Sequence, residues 1–287
     1  MKRLPVRFPL AAPTWPGTVP RPPVASRTGT DFDTAWARRP GARAARAGLV
    51  DFVIRPAVHV VASPEVDGRE RLERLPAPAI FAANHRSHLD TGLLLSVLPE
   101  RFRHKAVVAA AADYFFSNRA KGTLHALAFG AVPVERQRVN RRSADVTSAL
   151  VEEGWSLVIF PEGGRSPDGW GQEFRGGAAY LSVRTGVPVV PVYLEGTWEV
   201  WPKGRRLPRT GTSVSVTFGE PMTAEPGEDA RKLAARLQAA VAALADERRS
   251  DWWSARRRAA AGTSPALTGP DAAPWRRSWT LRERRSC

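Results

Sequence analysis

Short apolar runs recur along this sequence, each followed by a stretch with helical spacing, and that alternation limits the fold more than any other feature. The runs are Pro78–Ala83 (PAIFAA), Lys105–Ala109, Trp155–Phe160 (WSLVIF), Val187–Leu194 (VPVVPVYL) and Ser213–Phe218 (SVSVTF). Helical stretches follow Ser87 (LDTGLLLSVL), Asn118 and Arg142, and another runs from Gly177 to a stop at Gly186. A longer one covers Asp229–Arg249, with Leu233, Leu237, Val241 and Leu244 on one stripe. Runs without polar alternation are strands buried on both faces. Strands alternating with helices predict an α/β layered fold, a mostly buried mixed sheet flanked by helices. Sites in such folds are built at the carboxyl ends of the strands. Val187–Val192 contains two prolines, which cannot donate to a ladder, so it predicts an edge strand or an irregular one.

Charge divides the chain into three parts. The formal net charge is +15 at pH 7, with nine Lys/Arg against two Asp in residues 1–50 and eight Arg against three acids in residues 251–287. The 200 residues between carry only +3. Residues 1–40 are Pro-rich and aperiodic and predict a disordered basic tail; residues 251–287 predict a second one. Such ends suit an anionic partner, nucleic acid or a lipid surface. Nucleic-acid-binding domains carry a basic stripe on the folded part, so the near-neutral middle predicts no nucleic-acid partner. The one cysteine, Cys287, leaves no intrachain disulfide and no cysteine-ligated zinc site. No run of about 18 uncharged apolar residues is present, which excludes an ordinary membrane-spanning helix. Arg7 and four prolines break any secretory apolar region in Met1–Gly17, so a cytoplasmic protein is expected.

The segment Ala42–Val61 stands apart. On a helix, Leu49, Val50, Phe52, Val53 and Ile54 cover an arc of roughly 200°, Asp51 and Arg55 fill the rest, and Pro56 then interrupts it. Two readings fit: a helix at a membrane interface, or one packed on the domain's own core.

Two clusters carry chemistry. Asn84-His85-Arg86-Ser87-His88-Leu89-Asp90 follows the PAIFAA run. Five residues apart, His85 and Asp90 diverge on a regular helix and lie on opposite faces of a strand. They meet only at a strand-to-helix turn, which Ser87 supplies as a helix N-cap. Asp90 then accepts from one ring nitrogen and leaves the other as a base. His88, two residues from Asp90, is poorly placed for this and reads as structural. Phe160-Pro161-Glu162-Gly163-Gly164-Arg165-Ser166 follows a second strand; its glycine amides and Arg165 form either an anion cradle or a surface turn. Gly130-Ala131-Val132-Pro133-Val134-Glu135-Arg136 says little alone.

Taken together and in this order, Asn-His-x4-Asp, Val-Pro-Val-Glu-Arg, Phe-Pro-Glu-Gly-Gly-Arg-Ser and Val-Pro-Val-Val-Pro-Val resemble the glycerolipid acyltransferase family. The likeness is strongest to bacterial 1-acyl-sn-glycerol-3-phosphate acyltransferases. Phe174-Arg-Gly-Gly-Ala-Ala-Tyr-Leu and Val216-Thr-Phe-Gly-Glu-Pro221 add to it. The likeness covers residues 78–222, within a domain expected over 41–250. Gly164 stands where many members have Thr, and Pro133-Val134-Glu135 replaces bulkier apolar residues.

The resemblance implies that a fatty acyl group passes from acyl-CoA or acyl carrier protein to the free hydroxyl of 1-acyl-sn-glycerol-3-phosphate, giving phosphatidic acid for phospholipid biosynthesis. His85 would be the general base and Asp90 its orienting acid. Arg136, Glu162, Gly163 and Arg165 match the blocks that bind the acceptor's phosphate and glycerol. The arginines and glycine amides suit phosphate; Glu162, itself an anion, would hold an arginine or a glycerol hydroxyl. No metal or tightly bound cofactor is implied, the acyl donor being a co-substrate. The expected partners are therefore lysophosphatidic acid, the acyl donor and an anionic membrane surface, with peripheral binding at the inner face of the cell membrane. Another lysophospholipid or lipid alcohol as acceptor keeps the same chemistry.

Overall fold

The computed structural model describes residues 28–135 and 141–283. Among these residues one sheet forms, from β1 (Glu65–Asp67), β2 (Ile80–Ala83), β3 (Ala106–Ala111), β4 (Ala131–Val134), β5 (Ser156–Ile159), β6 (Val189–Glu195) and β7 (Ser215–Phe218). The strand order is β1-β7-β6-β2-β5-β3-β4, parallel throughout except for the antiparallel β6–β7 pair. The helices are α1 (Pro40–Leu49), α2 (Arg55–Ala62), α3 (Arg69–Glu73), α4 (Asp90–Val97) and α5 (Glu100–Arg103). Then come α6 (Ala112–Phe115), α7 (Arg119–Phe129), α8 (Arg141–Glu152), α9 (Gly177–Thr185) and α10 (Thr197–Val200). The last three are α11 (Ala230–Arg249), α12 (Trp252–Ala260) and α13 (Pro274–Glu283).

Strand β2 shows why its run has no polar alternation. Ile80 and Ala82 join a core with Leu150 and Val151 of α8, Leu181 of α9 and Leu237 of α11. Phe81 and Ala83 join the opposite core, with Leu93 and Leu94 of α4, Phe102 of α5 and Val58 of α2. Both faces are covered, and all four strand residues are fully buried. Each large side chain so buried contributes about 1.5–3 kcal/mol. The expected mixed sheet, buried between helical layers, is what these contacts build.

Of the two prolines in that run only Pro191 falls within β6, and it gives a mixed outcome. The strand is interior, between β2 and β7, so the edge alternative fails. The irregular alternative is what forms. Val192 pairs with Phe218 and Val189 bridges Met222, leaving two residues of β6 opposite three of the partner segment. Gly219 N–H still donates to the Pro191 carbonyl at 2.8 Å. The amide hydrogen that Pro191 lacks would point into this bulge, where no rung is lost.

Two further expectations are corrected. Pro56 does not interrupt the helix. Helical backbone runs from α1 into α2 through a widened π-turn at Val50–Ile54, whose last bond joins Arg55 N–H to Val50 C=O. A wide turn just before proline makes room for its ring and absorbs the missing donor. The chain after residue 250 is not a featureless tail through residue 283. Asp251 caps α12 by accepting the Ser254 N–H at 2.9 Å, and Arg258 grips Asp246 of α11 with bonds of 2.6 and 2.8 Å. Leu267 is buried beside Tyr193, Val241 and Leu244. At the other end, Phe32 packs on Phe116 at 5.2 Å between centroids. These anchors are single side chains without periodicity, so no pattern announced them. Residues 1–27 and 284–287, with Cys287, lie outside the described residues.

Candidate active site

Strands β2, β5, β3 and β4 run parallel, so the loops that follow them share one edge of the sheet. The loop after β2 opens with Asn84. Its side chain pairs with Leu194 of β6 in both directions: Nδ2 donates to the carbonyl at 2.9 Å and Oδ1 accepts the N–H at 2.7 Å. This fully buried amide substitutes for a backbone rung and fixes where the chain leaves the sheet.

His85 comes next. Its Nδ1 lies 2.8 Å from Asp90 Oδ2, and the same oxygen accepts the N–H groups of Arg86 and Ser87 at 2.7 Å each. The five-residue spacing closes because the turn wraps around one carboxylate oxygen. Asp90 is the first residue of α4 and fully buried, where the helix N-terminus favours negative charge. Ser87 is not the cap that the sequence suggested. Its Oγ accepts from Leu89 N–H at 3.1 Å and donates to the Trp201 carbonyl at 2.8 Å, leaving Asp90 to organise the turn. With Nδ1–H committed to Asp90, the lone pair sits on Nε2. Phe160 stacks on the imidazole at 4.1 Å and 21°, which holds the ring plane.

The loop after β5 locks onto this turn. Glu162 is only 2% exposed, and its carboxylate oxygens accept the His85 N–H at 2.9 Å and the Gln172 N–H at 3.0 Å. Burial pushes its carboxyl up to about 8, against the pull of those two donors and of Arg86. Glu162 thus faces inward, bridging the two loops, and not outward toward a ligand. Ser166 N–H adds a bond to the His85 carbonyl at 2.9 Å. Gly163 sits at φ +72°, where a side chain is strained, and a Cβ there would stand 2.9 Å from Arg175 Nε.

Arg165 reaches the same edge. Its guanidinium contacts the exposed His88 ring and lies 5.4 Å above the centre of Tyr114. Desolvation and the Arg165 charge hold His88 below its ordinary pKa. His88 also packs on Trp201, with centroids 5.3 Å apart. The structure therefore gathers His85, Asp90, Glu162, Gly163 and Arg165 in one place. Arg136, two residues beyond the end of β4, lies outside the described residues. Sequence reasoning missed Gln172, Trp201 and the role of Asn84. The first two are backbone partners reached from distant loops and carry no motif; Asn84 stood beside His85 without a visible partner.

The arrangement can take a proton from a hydroxyl at Nε2 and share the resulting charge with Asp90. A flanking guanidinium offers a bidentate hold on an oxyanion. Known acyltransferases are similar to this chain. A chloroplastic 1-acyl-sn-glycerol-3-phosphate acyltransferase of Brassica napus is 32% identical over 166 residues, covering 55% of this chain and 44% of the relative. Human 1-acyl-sn-glycerol-3-phosphate acyltransferase beta is 35% identical over 131 residues, 45% of each chain. The chain spans about half the length of the curated relatives it matches. The crystal structure of a 1-acyl-sn-glycerophosphate acyltransferase, PlsC, from Thermotoga maritima superposes with a TM-score of 0.56 at 24% identity, covering 72% of this chain and 82% of that one. That likeness shows a shared fold. Residues 63–195, which hold both His85 and Arg165, match the family model described as Acyltransferase.

Proposed function

We propose that this protein moves a fatty acyl group from a thioester, acyl-CoA or acyl carrier protein, to the free hydroxyl of 1-acyl-sn-glycerol-3-phosphate. The observation that carries the proposal is the 2.8 Å His85–Asp90 bond at the carboxyl edge of a buried sheet. In this reading Nε2 of His85 removes the hydroxyl proton as the oxygen attacks the thioester carbonyl. The tetrahedral adduct collapses, the C–S bond breaks, and the imidazolium returns its proton to the thiolate leaving group. No covalent acyl-enzyme forms. Asp90 fixes the Nδ1–H tautomer and stabilises the imidazolium. Arg165 and Arg136 hold the acceptor's phosphate by charge-assisted bonds. Glu162 and Gly163 act on the backbone: one ties the two loops together, the other lets the chain turn between them.

Acceptor and product are lipids, while no helix among the described residues is long and apolar enough to cross a membrane. We therefore place the enzyme peripherally, on the inner membrane face, as a reader of an anionic surface. The apolar arc divides to serve this. Val50 is buried in the domain, whereas Phe52 is 83% and Val53 56% exposed. Incubation with thioester donors and a panel of acceptors, with products identified by mass, tests the assignment. Acylation of 1-acyl-sn-glycerol-3-phosphate above the other acceptors is expected, and transfer only to an uncharged alcohol would refute the phosphate reading.

A further inference from the structure

Helix α13 lies beyond the segment shared with the family model, which ends at residue 195, yet it is bolted to the candidate site. Arg277 Nε donates to Asp168 at 2.7 Å, and Trp170 Nε1 donates back to the Arg277 carbonyl at 3.0 Å. Leu281, one turn on, fills the space beside Gly169, where a Cβ would come within 2.5 Å of it. The loop so clamped, residues 166–172, is the one whose Ser166 N–H bonds His85 and whose Gln172 N–H bonds Glu162.

The opposite face of α13 is exposed and chemically distinctive. Trp275 and Trp279, four residues apart and so on one side of the helix, are 65% and 59% exposed. The Arg276 guanidinium lies 5.1 Å over the Trp275 ring. Residues 252–283 contain six Arg against two acids, and two of those Arg are tied to Asp246 and Asp168. Indoles exposed beside arginine side chains are what a bilayer's headgroup layer accepts. The ring is amphipathic and prefers the interface, and cations are drawn to anionic lipid.

We propose that the Trp275/Trp279 face of α13 docks on an anionic phospholipid surface, holding the loop that carries the His85 contacts against the membrane. The choice of lipid as occupant rests on the acyl-transfer reading, since a lipid acceptor must reach this edge of the sheet. The test needs no turnover, so it stands or falls separately from that reading. Full-length protein is sedimented with vesicles of neutral phospholipid containing about one third phosphatidylglycerol, and with neutral vesicles alone. Trp275→Ser/Trp279→Ser should weaken partitioning about tenfold or more on both, because part of two indoles no longer leaves water. Arg276→Glu should weaken binding to the anionic vesicles and leave the neutral ones little changed. Melting curves matching the wild type establish that both variants fold. Unaltered partitioning of both variants would overturn the proposal, as would capture by polynucleotide in place of vesicles.

Discussion

Glu162→Gln offers a prediction whose size follows from the geometry. The carboxyl is buried, bridges the backbone of His85 and Gln172, and has a pKa raised from 4.5 to about 8 by desolvation. A carboxyl whose folded pKa exceeds its unfolded one binds its proton more tightly when folded. Its contribution is therefore fully present below pH 4.5 and is lost as pH climbs through about 8. At about 1.4 kcal/mol per pH unit, the loss approaches 5 kcal/mol across that window. Glutamine never ionises and escapes this slope. It cannot accept at both ends, however, so one buried N–H faces an amide nitrogen, at about 1–3 kcal/mol. The wild type should thus be the more stable protein near pH 5, and its lead should shrink and reverse toward pH 8.5. Urea denaturation of both proteins at constant ionic strength, from pH 5 to 9, reads the difference, in which titrations common to both cancel. Parallel stability profiles would refute the reasoning.

Arg165→Ala should raise KM for the phosphorylated acceptor and spare that for the thioester, with a loss of about 1.5–3 kcal/mol in kcat/KM; steady-state kinetics with each substrate varied in turn decides it. Asn84→Ala strips both bonds from Leu194 and should cost about 2–4 kcal/mol of stability, measured by urea denaturation. Phe52→Ser with Val53→Ser should reduce vesicle binding at every salt concentration, because both residues are exposed and apolar. Deleting residues 1–27 removes five Lys/Arg and should lessen the salt dependence of binding in co-sedimentation, at about 1 kcal/mol for each charge near the surface.

Much of the fold was legible because burial on both faces leaves a mark in sequence. The runs at Pro78–Ala83 and Trp155–Phe160 became β2 and β5, and the stripe from Leu233 to Leu244 became the inward face of α11. Strand β1 was not visible: three residues, Glu65–Asp67, with Val66 their one apolar side chain, make no apolar run and pair because β7 offers them an edge. Strand β4 was hidden in a stretch read only for Arg136. At the site, the meeting of His85 and Asp90 was derivable from their spacing and the need for a turn. The inward role of Glu162 was not, since nothing local tells a bridging carboxylate from a ligand-holding one. The C-terminal clamp was hidden for a different reason. Arg277 and Asp168 are 109 residues apart, and basic residues among Gly and Pro read as solvated tail.

In the proposed reaction His85, set by Asp90, activates a lipid hydroxyl against a thioester. Purified protein given a thioester donor and 1-acyl-sn-glycerol-3-phosphate, with acceptor and product followed by mass spectrometry beside free-thiol release, tests it most directly. One acylated acceptor per thiol released is expected, with a fall of about 10²–10⁴ in His85→Ala but not in His88→Ala. Undiminished transfer by His85→Ala, or thiol release with no acylated acceptor, would contradict it.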